Sequence, residues 1–251
     1  MRSTRPLFGA LAVTSMLACA ATVSADVYEL RTYTAAPGKL DALNARFRDH
    51  TIRLFKRHGI ESLGYWVPTD TEKSKNTLIY VIKHKSREAA AASWKSFLAD
   101  PEWQEAAKNS GVGKLMSRPE SVYMEAAAYS PAWMGAKRDG KAVFELRTYR
   151  TNEGKLSNLD ARFRDHTIRM VEQHGMKSGA YWHPTDAPDS KDTLIYIIRH
   201  DSEEAAAGNW KSFLGDPAWK KVAQKSQVDG RILRERPESV YMAATPYSGI
   251  Q

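Results

Sequence analysis

The chain contains an internal repeat, and this repeat limits the folds that it can adopt. Nine residues, Ala45–Arg53, recur letter for letter as Ala161–Arg169, 116 positions later. Val27–Tyr33 recurs at the same shift with one change, as Val143–Tyr149. Each copy has roughly one hundred residues, which is ordinary domain size and several times the length of a solenoid unit. The sequence therefore predicts two copies of one domain in tandem.

The repeat also places the domain boundaries. We expect a first domain over residues 26–130, a linker over 131–142 and a second domain over 143–248. The linker combines proline, glycine and charged residues, which is typical of such segments. Toward the end of the copies the shift grows from 116 to 118, so the second copy carries two additional residues between Val228 and Glu235. We interpret these as a loop insertion.

Residues 1–25 have the features of an export signal. Arg2 and Arg5 precede an alanine- and leucine-rich stretch, which ends in the small residues of a cleavage site at Val23-Ser24-Ala25. The apolar run is too short to span a membrane. Cleavage would lower the formal net charge from +8 to +6 and remove Cys19, the only cysteine, so disulfides and thiol chemistry are excluded. We expect a periplasmic or secreted protein; lipid attachment at Cys19 is an alternative that the preceding residues fit less well.

Each copy has the pattern strand, helix, strand, strand, helix, strand. Alternating apolar residues indicate the strands, and apolar residues at helical spacing indicate a first helix that ends at Gly59. The other predicted elements of the first copy are strands at 61–67, 77–83 and 121–125, a helix at 87–99 and a further helical turn that begins at Asp100. This order predicts a ferredoxin-like α+β domain, with a four-stranded antiparallel sheet and both helices on one face.

The strand Leu78–Ile82 is apolar on both faces, although helices can cover only one face of such a sheet. Packing the sheets of the two copies against each other would bury the second face. The sequence therefore predicts two ferredoxin-like (βαββαβ) domains packed sheet to sheet, an intrachain pseudo-dimer that forms an α+β barrel with a lumen between the halves. A higher oligomer stays open.

Several short motifs occur once in each copy. The Glu-Leu-Arg-x-Tyr strands lie at Glu29–Tyr33 and Glu145–Tyr149, and the Gly-Lys-Leu helix starts at Gly38 and Gly154. The Tyr-Trp pairs are Tyr65-Trp66 and Tyr181-Trp182. The Trp-x-x-Phe-x-x-Asp-Pro-x-Trp segments are Trp94–Trp103 and Trp210–Trp219. As a set they resemble the NIPSNAP family over nearly all of the chain after residue 25. The resemblance implies the dimeric α+β-barrel superfamily, which includes monooxygenases, isomerases and haem-handling enzymes, but it implies no catalytic residues.

The first strand of each copy carries ionisable residues on one face. Glu29, Arg31 and Tyr33 alternate along the chain, so their side chains point the same way. Because Leu30 suits the helix side, we expect these three residues in the lumen. The other candidate lumen or ligand-binding residues are Tyr65, Glu145, Arg147, Tyr149, Tyr181 and His183. An arginine in the lumen could bind a carboxylate, but ion pairs that only hold the sheets in register would also explain the pattern.

The histidines give weaker indications. His50 and His166 fall on the apolar stripe of the first helix and are interpreted as core residues, while His84 and His200 end the third strand and are interpreted as caps. His183 has no counterpart, because Val67 takes its place in the first copy. It is the one position where a functional difference between the copies is expected.

Metal and nucleic-acid binding find little support in the sequence. No paired-histidine or HExxH motif is present, so no metal site is predicted. A haem held by a single histidine needs no spacing motif, so a haem cofactor stays open. The positive charges, Arg46 and Arg53 among them, are mixed with acids along the helices and are interpreted as a solvated face, so no nucleic-acid partner is expected.

These observations lead to two functional hypotheses. The first is a protein that binds a small ligand or a protein partner through the barrel or its exposed faces, without turnover. The alternative is a cofactor-light oxidoreductase, monooxygenase or isomerase that acts on a small aromatic or acidic compound in the lumen, with tyrosines or His183 in proton transfer. A third reading, a purely structural or oligomerising module, stays open.

Overall fold

The computed structural model describes residues 26–133 and 142–249. We call these two stretches the first half and the second half. The predicted leader and most of the predicted linker lie outside the described residues, so the export signal and the domain boundaries stay predictions. None of the described helices is both long and apolar enough to cross a bilayer.

Both halves contain the same elements in the same order. In the first half these are β1 (Val27–Thr34), α1 (Leu40–Arg46), α2 (Ile52–Arg57), β2 (Glu61–Pro68), β3 (Thr77–His84), α3 (Arg87–Ala99), α4 (Pro101–Asn109) and β4 (Glu120–Ala126). In the second half they are β5 (Val143–Arg150), α5 (Leu156–Arg162), α6 (Ile168–Gln173), β6 (Lys177–Pro184), β7 (Thr193–His200), α7 (Glu203–Gly215), α8 (Pro217–Lys225) and β8 (Glu238–Ala244). A five-residue π-helical turn joins α1 to α2 (Phe47–Thr51) and α5 to α6 (Phe163–Thr167), and short 3-10 turns (Lys73–Lys75, Asp189–Lys191) precede β3 and β7.

The helices begin and end where the residue chemistry predicts. Asp100 accepts a hydrogen bond from the Glu102 backbone N–H over 2.8 Å and starts α4, with Pro101 at the first helical position. Gly59 follows α2 with a φ of +75°, a conformation that glycine adopts without strain. The predicted strands and helices of the first half are confirmed within a residue or two at their ends.

The eight strands form one closed antiparallel barrel, in the order β1-β3-β2-β8-β5-β7-β6-β4. Each half supplies four neighbouring strands in the ferredoxin-like arrangement. The halves are joined at two seams, β2 with β8 and β4 with β6. The predicted fold, two ferredoxin-like domains in an intrachain α+β barrel, is confirmed. The edge strands also pair across the seams, so the barrel has no open edge.

The apolar residues form three clusters. One fills the barrel interior, which we call the lumen, and draws on both halves through residues such as Leu30, Trp66, Phe144 and Trp182. The other two lie between the sheet and the helices, one in each half, and are rich in aromatic side chains such as Phe47. Both faces of every central strand are therefore buried, which explains why β3 and β7 are apolar on both sides.

Candidate functional site

The charged residues of β1 face the helices and not the lumen. Trp94 on α3 donates its Nε1–H to Glu29 Oε2 over 2.8 Å, and Tyr33 packs against the aromatic cluster under the helices. Arg31 lies over the Trp94 ring. Leu30, on the opposite face of the strand, lines the lumen instead. The prediction that Glu29, Arg31 and Tyr33 point into the lumen is therefore wrong.

The second half repeats this arrangement, so the lumen placement is also wrong for Glu145, Arg147 and Tyr149. Alternation along β1 and β5 separates two faces correctly, but both faces are buried, so hydrophobicity alone does not decide which one meets the helices. The decision depends on donors from distant elements. Only the helix side supplies enough hydrogen bonds to keep a buried carboxylate charged.

Glu145 is fully buried and receives four side-chain donors. They are Trp210 Nε1 at 2.7 Å, His200 Nε2 at 2.9 Å, Ser239 Oγ at 2.6 Å and Arg147 Nη1 at 2.5 Å. Four donors match the acceptor capacity of an ionised carboxylate. Glu29 is held in the same way in the first half, by Trp94, His84, Ser121 and Arg31.

These contacts keep both glutamates ionised. Burial by itself raises the pKa of Glu145, but the hydrogen bond from His200 and the charge of Arg147 lower it to about 2. The pKa of Glu29 is lowered to about 2 for the corresponding reasons. His84 and His200, which were interpreted as strand caps, are thus buried partners of the two carboxylates.

Arg147 is held in place on three sides. Its guanidinium lies 4.4 Å from the centre of the Trp210 ring, and its Nη2 donates to Tyr149 Oη over 3.3 Å, in addition to the ion pair with Glu145. Within the described part of the chain, Nε of Arg147 is buried and has no hydrogen-bond partner. The arginine therefore retains an unused donor.

A second buried arginine in each half has no carboxylate partner among the described residues. Arg162 is 7% exposed and Arg46 is 8% exposed. Arg162 contacts Ser226 Oγ at 3.5 Å and lies 5.5 Å from the centre of the Trp219 ring, and its Nε has no partner in the described residues. Burial lowers the pKa of Arg162, yet a guanidinium stays charged in proteins. A buried charge of this kind is costly and favours an anionic ligand.

A π-helical turn follows each of these arginines and holds its backbone. The Ile168 backbone N–H bonds to the Phe163 carbonyl, five residues back, and Thr167 Oγ1 donates to the Arg162 carbonyl over 3.1 Å. Thr51 makes the same bond to Arg46 over 3.1 Å. Each turn inserts one residue, which rotates the following side chains by about 100° relative to a regular helix.

The rotation explains a wrong expectation about the first helix. His166 was interpreted as a core residue, but it is exposed, because the turn moves it off the apolar stripe. Its counterpart His50 is only partly buried. The interpretation of Arg46 as part of a solvated face is wrong as well, since it follows the buried Leu43 by three residues and its guanidinium lies 5.2 Å from the centre of the Trp103 ring.

In the second half, the two arginines border one cavity of about 930 Å³, which we call the second-half cavity. It lies between the sheet and the helices α7 and α8. Its charged lining consists of four arginines and two glutamates, Arg147, Arg162, Arg231, Arg236, Glu145 and Glu235, and Tyr149 and Tyr196 are among its other polar residues. Its apolar walls are largely aromatic, formed by Phe163, Trp210, Phe213 and Trp219. The inserted segment of the second copy contributes Arg231 and Leu233 to the same cavity.

The remaining predicted site residues lie apart from this cavity. Tyr65 and Tyr181 are fully buried under the helices, and their hydroxyls bond to Ser62 and Ser178 within the same strand. They are structural neighbours of the site and not lumen residues. The lumen placement is therefore wrong for them too.

His183 also faces the helices and not the lumen. Its Nδ1 lies 3.1 Å from the Thr193 carbonyl oxygen and its Nε2 lies 3.2 Å from Asp160 Oδ1. Both neighbours are acceptors, so the ring satisfies both only as a charged imidazolium. Burial alone lowers the pKa of His183, but Asp160 and the Thr193 carbonyl raise it above its ordinary value.

The second-half cavity does not suit a histidine-ligated haem, because the described residues that line it include no histidine. His166 borders a separate groove on the outer surface. Within residues 26–133 and 142–249, no three metal-ligating side chains come together.

Comparison with known families identifies the chain. The NIPSNAP family pattern matches twice, over residues 28–131 and 144–248. The chain belongs to the NIPSNAP family. The two matches coincide with the two halves of the barrel, so the protein is a tandem NIPSNAP protein whose halves supply one barrel together. A comparison with curated proteins gave no match.

Solved structures share the NIPSNAP chain's fold. One, titled "putative monooxygenase" and from Lactobacillus acidophilus NCFM, is 10% identical, covers 88% of this chain and 94% of its own, and has a TM-score of 0.56. A mutant chlorite dismutase from Candidatus Nitrospira defluvii is 8% identical, with 88% and 93% coverage and a TM-score of 0.51. A NIPSNAP family protein from Agrobacterium tumefaciens is 25% identical over 43% of this chain and 93% of its own, with a TM-score of 0.38. At these identities the first two establish the α+β-barrel fold alone.

Sequence reasoning missed Arg46 and Arg162. Both were visible in the nine-residue segment that repeats unchanged, which spans the arginine and the whole π-helical turn in each half. An arginine directly before a buried phenylalanine was a signal that the position is close to the core. Regular helical spacing also places each arginine three residues after a buried leucine, Leu43 or Leu159, but the positive charge favoured the interpretation as a solvated face.

Proposed function

We propose that this NIPSNAP protein binds a small anionic molecule with an aromatic or otherwise apolar body in the second-half cavity. The observation that carries the proposal is Arg162, a buried guanidinium that borders the cavity and has no carboxylate partner among the described residues. A ligand carboxylate would supply the missing charge and could bind the guanidinium with two hydrogen bonds.

The rest of the cavity supports the same class of ligand. Its volume of about 930 Å³ is in the range of small-molecule sites. Arg147 lies over the Trp210 ring and retains its free Nε, so the acid group of a ligand could meet the arginines while its apolar body lies against the aromatic walls. The first half repeats the same ion pair and the same unpaired arginine. We therefore expect a second, related site there.

The test compares Arg162→Met with Arg169→Met, an exposed arginine seven residues further along the same helical segment. The purified protein is titrated with benzoate, phenylacetate and naphthoate by calorimetry. Loss of the charged contact in Arg162→Met should raise Kd by roughly tenfold to a hundredfold, while Arg169→Met should leave it unchanged.

The stability of the Arg162→Met variant without ligand provides a second measurement. Because Arg162 is an uncompensated buried charge, Arg162→Met should unfold at an equal or higher temperature. Its free energy of unfolding should equal that of the wild type or exceed it by up to about 1 kcal/mol. A variant that loses stability and still binds the carboxylates would contradict the proposal, because the arginine would then serve the fold and not a ligand.

A second candidate function is oxidation of a phenolic acid in the same cavity. The observation that favours it is the pair of hydroxyls, Tyr149 and Tyr196, next to the Arg147 guanidinium, where a proton could be exchanged with a bound phenol. Solved structures of the same fold include proteins titled a monooxygenase and an anthrone oxidase-like protein. Oxygen uptake with 4-hydroxybenzoate, lost in Tyr149→Phe, would support turnover. Binding without uptake would leave a binding protein.

We also propose that the protein works outside the cytoplasm, in the periplasm or the medium. The proposal rests on the arginines, the alanine- and leucine-rich stretch and the small residues of the first 25 positions. N-terminal sequencing of the protein from fractionated cells tests it. A mature chain that begins at Asp26 supports export, and an intact N-terminus in the cytoplasm contradicts it.

A further inference from the structure

The lumen is filled at one end and hollow at the other. The filled end is packed with large side chains from both halves, among them Trp66, Trp182 and Phe144, which are all 4% exposed or less. At the opposite end a cavity of about 520 Å³ opens to solvent, which we call the lumen cup. The cup is separate from the second-half cavity, since it lies on the other face of the sheet.

The strand register shows how the hollow arises. On the lumen face of β1, side-chain size falls from Tyr28 to Leu30 to Thr32, two residues at a time toward the mouth. Their partners on β4 are Met124, Val122 and Glu120, which change from apolar to charged in the same direction.

The second half has the same gradient. On β5 the lumen side chains run from Phe144 to Leu146 to Thr148, and Thr148 pairs with Glu238 of β8. Threonine stands at both mouth positions where a larger apolar residue would continue the packing. The cup therefore results from side-chain choice at matched positions in both halves.

The rim of the cup carries an excess of negative charge. Its charged lining consists of four carboxylates and two cations, Glu72, Glu120, Asp189, Glu238, Lys73 and Arg150. Arg150 forms an ion pair with Glu238, whereas Glu120 forms no ion pair among the described residues. An acidic rim is notable in a chain with a formal net charge of +8, and it is opposite in sign to the arginine-rich second-half cavity.

We propose that the lumen cup binds a small amphiphilic cation, with its apolar body among Leu30, Leu146, Ile79 and Ile195 and its amine or quaternary ammonium at the carboxylate rim. The apolar walls provide most of the affinity, because burial of apolar surface scales with area at about 25 cal/mol per Å². The exposed carboxylates contribute little free energy, but they select the sign of the head group.

The experiment uses three probes with the same apolar chain. Octyltrimethylammonium, octanol and octanoate are titrated into the full chain below their micelle concentrations, with calorimetry and tryptophan fluorescence as readouts. Trp66 and Trp182 at the filled end contribute the lumen's part of the fluorescence change, and the part that is lost in Thr148→Phe identifies it. In the Arg162→Met variant, where the anion site of the second-half cavity is weakened, we expect the cation to bind most tightly and octanoate most weakly. Octanoate equal to or tighter than the cation in the lumen overturns the proposal.

Two matched pairs of variants locate the site. Thr148→Phe should fill the cup and abolish binding of the cation, while Thr148→Ser keeps the space and should retain it. Glu120→Gln should lower the preference for the cation over octanol, while Glu105→Gln, on the exposed side of α4, should not. Unchanged cation binding in a folded Thr148→Phe protein would overturn the proposal.

Cation binding in the lumen cup can be tested independently of anion binding in the second-half cavity. Arg162→Met leaves the lumen untouched, so it should not change cation binding, and Thr148→Phe should not change carboxylate binding in the second-half cavity. The experiments can therefore contradict one of the two proposed sites without contradicting the other.

Discussion

At the scale of single residues, the molecule separates two kinds of buried charge. Glu29 and Glu145 are saturated with four donors each and are neutralised by Arg31 and Arg147, so they complete a structural network. Arg162, in contrast, has no acid partner in the described residues. A carboxylate with all its hydrogen bonds stabilises the fold. A buried guanidinium without a counterion destabilises the fold, and a bound anion would offset that cost.

The structural role of the glutamate network predicts a large effect of Glu145→Gln. The substitution leaves Arg147 buried without a counterion, so the free energy of unfolding should fall by about 3–5 kcal/mol. Urea denaturation measures this change. Glu153→Gln, at an exposed position of the same half, is the control and should change stability by less than about 0.5 kcal/mol.

The pH dependence of the same network follows from the direction of the pKa shift. The folded-state pKa of Glu145 is lowered to about 2, so its contribution is present above the unfolded pKa and is lost as the pH falls toward 2. The stability gap between wild type and Glu145→Gln should therefore narrow in acid. A gap that is constant down to about pH 2.5 would show that the pKa of Glu145 is not lowered in the fold.

At the scale of elements, a π-helical turn follows each unpaired arginine and holds its backbone carbonyl. Each turn adds a residue between two short α-helices, and a buried threonine hydroxyl bonds to the carbonyl of the arginine five residues earlier. π-Helical turns occur frequently at functional sites, because they place one side chain off the regular helical stripe. In this protein His166 is the side chain that the turn moves off the stripe, while the turn holds the backbone of the unpaired arginine that precedes it.

Thr167→Val tests this role of the turn. The substitution keeps the size of the side chain and removes the bond to the Arg162 carbonyl, so stability should fall by about 1 kcal/mol. Carboxylate affinity should fall roughly fivefold as Arg162 loses its position. Calorimetry and urea denaturation measure the two effects. Thr167→Ser retains the hydroxyl and should retain affinity; equal losses in both variants would argue against the hydroxyl.

At the scale of the whole molecule, each half is closed by a segment of the other. Tyr129, at the end of the first half, donates to Asp160 of the second half over 2.6 Å, and Tyr247 donates to Asn44 over 2.6 Å. The two crossings differ in charge. At the first, His183 joins Asp160, whereas Val67 stands in the corresponding place at the second.

This difference predicts a pH-dependent seam. The folded-state pKa of His183 is raised, so its contribution to stability is fully present below the unfolded pKa and is lost as the pH rises through the folded pKa. His183→Val should therefore cost roughly 1–2 kcal/mol at about pH 5.5 and less at about pH 8.5. Urea denaturation at both pH values measures this. His166→Val, at an exposed histidine, should show no such trend.

Much of the architecture was predictable because it depends on local patterns. The exact repeat of Ala45–Arg53, the alternation in β1 and the capping residues at Asp100 are read from neighbouring positions, and they specified two ferredoxin-like domains. The need to bury the second face of β3 then required the barrel. The sequence did not predict that β2 pairs with β8 and β4 with β6.

The sequence by itself determined the elements, their order and the tandem barrel, because local periodicity and burial of apolar surface are properties of the residues. Only the tertiary structure decided which face of β1 meets the helices and which arginine lacks a partner. The charge on Glu29 is tolerated on the helix side because Trp94, His84 and Ser121 converge there from distant positions. Such convergence depends on three-dimensional contacts, and no spacing along the chain records it.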